Sequence, residues 1–141
     1  MIGIVIVSYR SDDLTVRFIR EELSKVSLPY RIVVVDNGAD ETEASALAAR
    51  IPEAVVLPAE NKGFAAGNNL GVRWLVEHVR PDYILLTNND IHFRSDHLVE
   101  TLCETAAAPP HNGGGGGENL GPGSRRPGPH RGRGRWGRFV L

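Results

Sequence analysis

The sequence predicts an α/β fold in which helices cover both faces of a parallel sheet, followed by a tail of different character. Three observations lead there. Four apolar runs, at residues 2–7, 32–35, 54–57 and 83–86, carry Ile, Val and Leu without alternating polar positions, as strands buried on both faces require. Segments of helical period separate them, and such alternation implies parallel strands joined by right-handed crossovers. Each run also gives way abruptly to polar residues: Ser8-Tyr9, Asp36-Asn37, Glu60-Asn61 and Asn88-Asn89-Asp90. In open parallel sheets ligands bind beyond the carboxyl ends of the strands, so the four clusters would converge on one edge.

Taken in order, Ile2 to Val7 is β-branched and apolar and reads as a central strand. Ser11-Asp12-Asp13 offers a helix start, and Leu14, Phe18, Ile19, Leu23 and Val26 recur at helical spacing until Pro29. Ile32 to Val35 is a second buried strand. A helix over 41–51 follows, with Glu41 and Glu43 near its start and Leu47 and Ile51 inward. The short strand 54–57 leads into a loop marked by Pro58, Asn61 and Gly63. Helical spacing returns from Ala65 to Val79, and Pro81 stops it before the strand beginning at Tyr83. A last helical stretch is expected near 95–107.

Composition changes after Ala106. Residues 1–105 hold 10 Lys/Arg against 16 Asp/Glu, whereas 106–141 hold 6 Arg against the single Glu118, so the net charge of −1 describes neither part. The tail carries 11 of the 16 glycines and 5 of the 9 prolines. It has almost no apolar residue before Phe139, too little to offset the entropy of folding, and is expected to be disordered. Such Gly/Pro/Arg-rich sequence attached to an orderly α/β segment fits a shifted reading frame in GC-rich DNA or a misjoined gene. Its alternative reading is an Arg-Gly tail that binds nucleic acid through Arg131, Arg133 and Arg135. The lone Cys103 excludes an internal disulfide and a Cys-based zinc site. No basic region or cleavage-type site opens the chain, and nowhere do about 18 apolar residues run together. The expected location is cytoplasmic.

Several residues carry chemistry by type and position. Asp36 can accept hydrogen bonds from a base edge or ribose hydroxyls; the alternative is an Asx turn capping the next helix. Ser8 and Tyr9 could frame the same ligand, Tyr9 by stacking. Gly67 lies early in a helix, where it costs about 1 kcal/mol relative to Ala. Either a ligand or the sheet must come close there, and a helix start preceded by Lys62 suits an anionic ligand. Asp90 alone would bind a cation weakly, but Mg²⁺ or Mn²⁺ in phosphate chemistry commonly takes one or two carboxylates and completes its shell with water and phosphate. Asn88 and Asn89 could hold a metal-bound water or a sugar hydroxyl, or simply form a turn. His92 reads as an additional ligand or a structural residue. His78 and His97 read as solvent-facing, and Trp74 as core or interface.

Four segments together, Val-Ser-Tyr-Arg at 7–10, Val-Val-Asp-Asn-Gly at 34–38, Asn-Lys-Gly-Phe-Ala-Ala-Gly-Asn-Asn at 61–69 and Leu-Leu-Thr-Asn-Asn-Asp at 85–90, resemble the inverting glycosyltransferase family two. The resemblance covers about residues 1–105 and leans toward the rhamnosyltransferase-like branch. It implies the Rossmann-like, nucleotide-sugar-binding N-terminal half of a GT-A domain, with 106–141 outside it. It further implies transfer of a hexosyl-type sugar from a dTDP-, UDP- or GDP-linked donor to a glycan or lipid-linked acceptor, with Mg²⁺ or Mn²⁺, in surface polysaccharide or glycolipid synthesis. Peripheral membrane association of the full-length enzyme would follow, and no nucleic-acid partner. Ser8, Tyr9, Asp36 and Asn37 would hold the nucleoside; Asn61, Lys62, Gly63, Gly67 and Asn68 would line the nucleotide and sugar pocket. Asn88, Asn89 and Asp90 stand where the family has its Asp-X-Asp motif, with Asp90 on the metal. Arg10 replaces the Asn common after the first-strand Tyr, and Asn88 replaces the first Asp. Nothing after residue 105 resembles the family's general base, so no catalytic residue is assigned and the chain is expected to be inactive in transfer. A nucleotidyltransferase is a competing reading, but Ser8-Tyr9-Arg10-Ser11-Asp12 lacks the glycines its loop would need.

Overall fold

A computed structural model of the chain describes residues 1–108 and 138–140. In chain order the elements are β1 (Ile2–Ser8), α1 (Asp12–Glu21) with a 3₁₀ turn at Leu23–Lys25, β2 (Tyr30–Asn37), α2 (Glu41–Arg50), β3 (Ala54–Ala59), α3 (Phe64–His78), β4 (Tyr83–Thr87), α4 (Leu98–Ala107) and β5 (Arg138–Val140). The strands form one parallel sheet in the order β3-β2-β1-β4-β5. β1 is central, running Ile2↔Tyr30 to Ser8↔Asp36 beside β2 and Ile2↔Tyr83 to Ile6↔Thr87 beside β4. From β1 the chain steps outward to β2 and β3, then crosses back to β4 on the far side. The strand order therefore reverses between β1 and β4, the position where such sheets open a crevice for ligands.

The apolar runs have no polar alternation because both faces are covered. Ile2, Ile4, Ile6, Ile32, Val34 and Leu85 pack with residues of α1, α2 and α4. Val5, Val7, Val33, Val35 and Ile84 face α3 through Leu75 and its neighbours. α3 approaches β1 closely at its glycines. A Cβ on Gly71 would lie 2.5 Å from Cγ1 of Val5, and one on Gly67 3.0 Å from Val7.

Several boundaries shift: β2 begins at Tyr30 and β3 continues through Pro58 to Ala59, residues read as loop in the sequence. α4 starts at Leu98 rather than near Ser95, because the Ser95 hydroxyl accepts the His97 amide and the Ser95 carbonyl accepts that of Leu98, a local turn that competes with helix. α4 runs to Ala107, where the last helical stretch was expected to end. The expected disorder of the tail does not extend to Arg138–Val140, which pairs in parallel with β4, Tyr83↔Arg138 to Leu85↔Val140. Without β5 the outer edge of β4 would leave unpaired backbone groups, and Phe-Val is a strand-forming pair of residue types. The rest of that expectation, at 109–137 and 141, lies outside the described residues.

Candidate functional site

At the carboxyl ends of β1 and β2, between the first turns of α1 and α2, the structure has a hollow of about 700 Å³ lined among others by Arg10, Asp12, Asp36, Asn37, Gly38 and Glu43. Its volume is that of a small-molecule site. Asp36 is one of its charged lining groups. The side chain that caps α2 is Asp40, which accepts from Thr42 and Glu43 amides while Glu43 reaches back to the Asp40 amide. Asp36 is thus not consumed by capping, and its carboxylate accepts no hydrogen bond from a described residue. Only 4% of the residue is exposed. Burial, with the negative charges of Asp12 and Glu43, pushes its pKa up from 3.8 to about 6. A buried acceptor of this kind is suited to a ligand N–H or O–H.

The chain then turns through Gly38, whose φ of +91° lies where side chains are strained; the Tyr9 ring covers it, about 3.2 Å from where a Cβ would be. Tyr9 is half-exposed, and the Arg10 guanidinium sits 5.4 Å from its ring centre. Asn37 donates through Nδ2 to Oδ1 of Asn61 at 3.0 Å, and that oxygen also accepts the Gly63 amide at 3.2 Å. This ties the loop before α3 to the hollow. Gly63 is the N-cap of α3 with φ +91°, no side-chain cap and open space around its α-carbon, so the first amides of a 15-residue helix are left to other acceptors. Asn37 and Asn68 are 5% and 8% exposed, and the Oδ1 of each has no donor among the described residues. Lys62 is exposed in an ion pair with Glu60 at 2.7 Å, which raises its pKa.

Beyond β4, Asn89 donates to Ser11 Oγ and Thr15 Oγ1, both at 2.8 Å. Thr15 in turn donates to Ser8 Oγ at 3.0 Å. Ser8 and Thr15 are fully buried, so the Ser8 hydroxyl fastens the β1–α1 turn from beneath rather than opening on the hollow. Asn88 and Asp90 are exposed. Neither the 61–63 loop nor the 88–90 loop lines the hollow itself. Each is joined to a lining residue by one hydrogen bond, Asn61 to Asn37 and Asn89 to Ser11. Farther along, Phe93 stacks edge-on against Phe18, and its amide donates to Glu22 at 2.8 Å. His92 Nδ1 lies 2.9 Å from the other Glu22 oxygen.

The model of the family described as Glycosyl transferase family 2 matches residues 3–133. The chain belongs to that family. No curated protein matches it. The family match begins at Gly3 within β1, takes in every element from α1 to α4 and continues beyond Ala108. A family 2 glycosyl transferase acts between a nucleotide-sugar donor and an acceptor, and the hollow with its two flanking loops lies at the edge where an α/β sheet binds nucleotides.

For this glycosyl transferase the sequence-predicted residues fall into two groups. Asp36, Asn37, Asn61, Lys62, Gly63, Asn68, Asn88, Asn89 and Asp90 lie in the hollow, in its two tethered loops or in the first turns of α3, and Tyr9 lies against Gly38 of the lining. Ser8 and Gly67 support that edge from within, Gly67 letting α3 close on Val7. Among the described residues no three His, Cys, Asp or Glu side chains gather to hold an ion. The exposed Asp90 carboxylate, which meets no partner among the described residues, would suit a cation that completes its shell with water and a diphosphate. The described residues do not fit an all-protein cation cage. Ser11, Thr15 and Glu22 were missed by the sequence reading. Thr15 lies within α1 near Phe18 and Ile19 and Glu22 caps its end, but their partners are far away in sequence. His78 stacks on Trp74 at 4.6 Å and meets its carbonyl, and Trp74 packs on the α3 side of the core. Among the described residues no helix is long and apolar enough to cross a membrane.

Proposed function

We propose that the chain is the donor-binding part of an inverting, cation-assisted glycosyltransferase that takes a hexosyl-type sugar from a nucleoside diphosphate and directs it to a hydroxyl of a glycan or lipid-linked acceptor. The observation that carries this is the convergence of Asp36, Asn61–Gly63 and Asn88–Asp90 on one sheet edge, where the strand order reverses. Tyr9 offers a face for the base, and Asp36 accepts from the base or ribose. Asn37 holds Asn61, which shapes the turn into α3, and the free first amides of α3 with Asn68 suit the phosphate or sugar oxygens. Asp90 carries the cation, with Asn88 and Asn89 shaping its loop. When bound, the cation offsets charge on the departing diphosphate.

We assign the donor part to residues 1–105 and place no general base. The single acidic residue after 105 is Glu118, and no sequence around it resembles a family base. The Asn-Asn-Asp form at 88–90 favours the rhamnosyltransferase-like branch, with a dTDP-, UDP- or GDP-linked donor and surface polysaccharide or glycolipid as product. The test is to titrate the purified chain with dTDP-, UDP- and GDP-sugars plus Mn²⁺, following heat of binding and release of nucleoside diphosphate. Binding of one nucleotide class without turnover is expected. Turnover to a glycosylated acceptor would overturn the absence of a base, and failure of all three to bind would overturn the site.

A further inference from the structure

Between Asn88 and Phe93 the chain is fastened to α1 at two levels. Asn89 is held at the first turn by Ser11 and Thr15; Phe93 is held at the far end by Phe18, by its amide on Glu22 and by its carbonyl, 3.5 Å from Lys25 Nζ. Asp90 and Ile91 are exposed between these anchors. His92 completes the second anchor in an unusual way. Glu22 is nearly buried, with 6% of its side chain exposed, and its charge is already met by Lys25 at 2.8 Å and by the Phe93 amide. The His92 ring is 71% exposed, so its hydrogen bond to this carboxylate contributes little stability. What the bond does is orient the ring. With Nδ1–H donated to a carboxylate, the lone pair is left on Nε2, which meets no described residue and stands two residues from Asp90. A carboxylate behind an imidazole is how proteins fix the tautomer and orientation of metal-binding histidines.

We propose that His92, through Nε2, is a second protein ligand beside Asp90 for the divalent cation that accompanies the donor diphosphate, and that Glu22 sets its orientation. The proposal rests on the donor-site reading of this edge. Two side chains, the diphosphate and water then share the ion.

The test uses the full chain with Mn²⁺ and dTDP, UDP or GDP, read by pulsed electron paramagnetic resonance for nitrogen coupling to the ion and by titration for Mn²⁺ affinity. The expected result is imidazole nitrogen coupling in the unaltered chain that disappears in His92→Ala. Mn²⁺ affinity should fall about tenfold or more in His92→Ala, and by about 10–100-fold in Glu22→Gln, the range typical of outer-shell changes. Because His92 is exposed, His92→Ala should keep the circular dichroism of the folded chain. If Asp90→Ala abolishes Mn²⁺-dependent nucleotide binding while His92→Ala changes neither coupling nor affinity, the proposal is wrong and the donor-site reading stands. If the unaltered chain binds no Mn²⁺–nucleotide, or Asp90→Ala leaves that binding intact, the donor-site reading fails and the proposal with it.

Discussion

Asp36 shows at the scale of one residue what the site costs the fold. Its folded pKa of about 6 lies above the 3.8 of the free side chain. The sign follows from that order: the neutral acid is favoured in the folded state, so its contribution is fully present below about pH 3.8 and is lost as the pH rises through about 6. Asp36→Asn is expected to raise stability above pH 6 by on the order of 2 kcal/mol and to flatten the pH dependence between those values, while weakening nucleotide binding; urea unfolding across that pH range measures the first effect. Glu22 behaves oppositely. The Lys25 ammonium first, then His92 and the Phe93 amide, hold its pKa near 2 against 4.5, so its stabilisation is present above about pH 4.5 and lost as the pH falls toward 2. Thr15→Val keeps shape but removes the hydroxyl shared by Ser8 and Asn89. It should cost about 1–3 kcal/mol, since buried partners are left unsatisfied, and it should loosen the Asp90 loop, seen as weaker Mn²⁺-dependent nucleotide binding. Asp36 and Asp90 were legible as single letters at strand ends. Thr15 and Glu22 were not, because their partners lie 74 and 70 residues away.

Among the elements, the strands were the most legible and the helix ends the least. An unbroken run such as Ile4-Val5-Ile6-Val7 has one economical fate, burial on both faces, and the structure shows it. Helix ends depend on single local hydrogen bonds, as Ser95 shows at the start of α4. Gly67 was ambiguous in sequence between a ligand and the sheet, since spacing does not say which neighbour fills the space; the structure places Val7 there. Its companion Gly71 gives the sharper prediction. Gly71→Ala puts a Cβ within 2.5 Å of Val5, and the resulting displacement of α3 should destabilise by about 1–3 kcal/mol in urea unfolding, outweighing the gain in helix propensity of about 1 kcal/mol. β5 could not be read from composition, because three residues after a Gly/Arg-rich stretch carry almost no periodic signal. The open edge of β4 supplies what the sequence does not.

The whole molecule is a parallel sheet whose order reverses beside its central strand, and that topology turns four separated polar clusters into one edge. Alternation of strands and helices announced the parallel sheet; the strand order β3-β2-β1-β4-β5 did not follow from sequence, since a parallel strand can join either side of β1. The central claim is that this edge binds a nucleoside diphosphate with a divalent cation held by Asp90. Calorimetric titration of the purified chain with dTDP, UDP and GDP, each with and without Mn²⁺ and repeated with Asp90→Ala, tests it most directly. Binding of one nucleotide that strengthens with Mn²⁺, together with loss of that strengthening in Asp90→Ala, is the predicted result. Equal binding with and without Mn²⁺, or an Mn²⁺ effect that survives Asp90→Ala, would contradict the account.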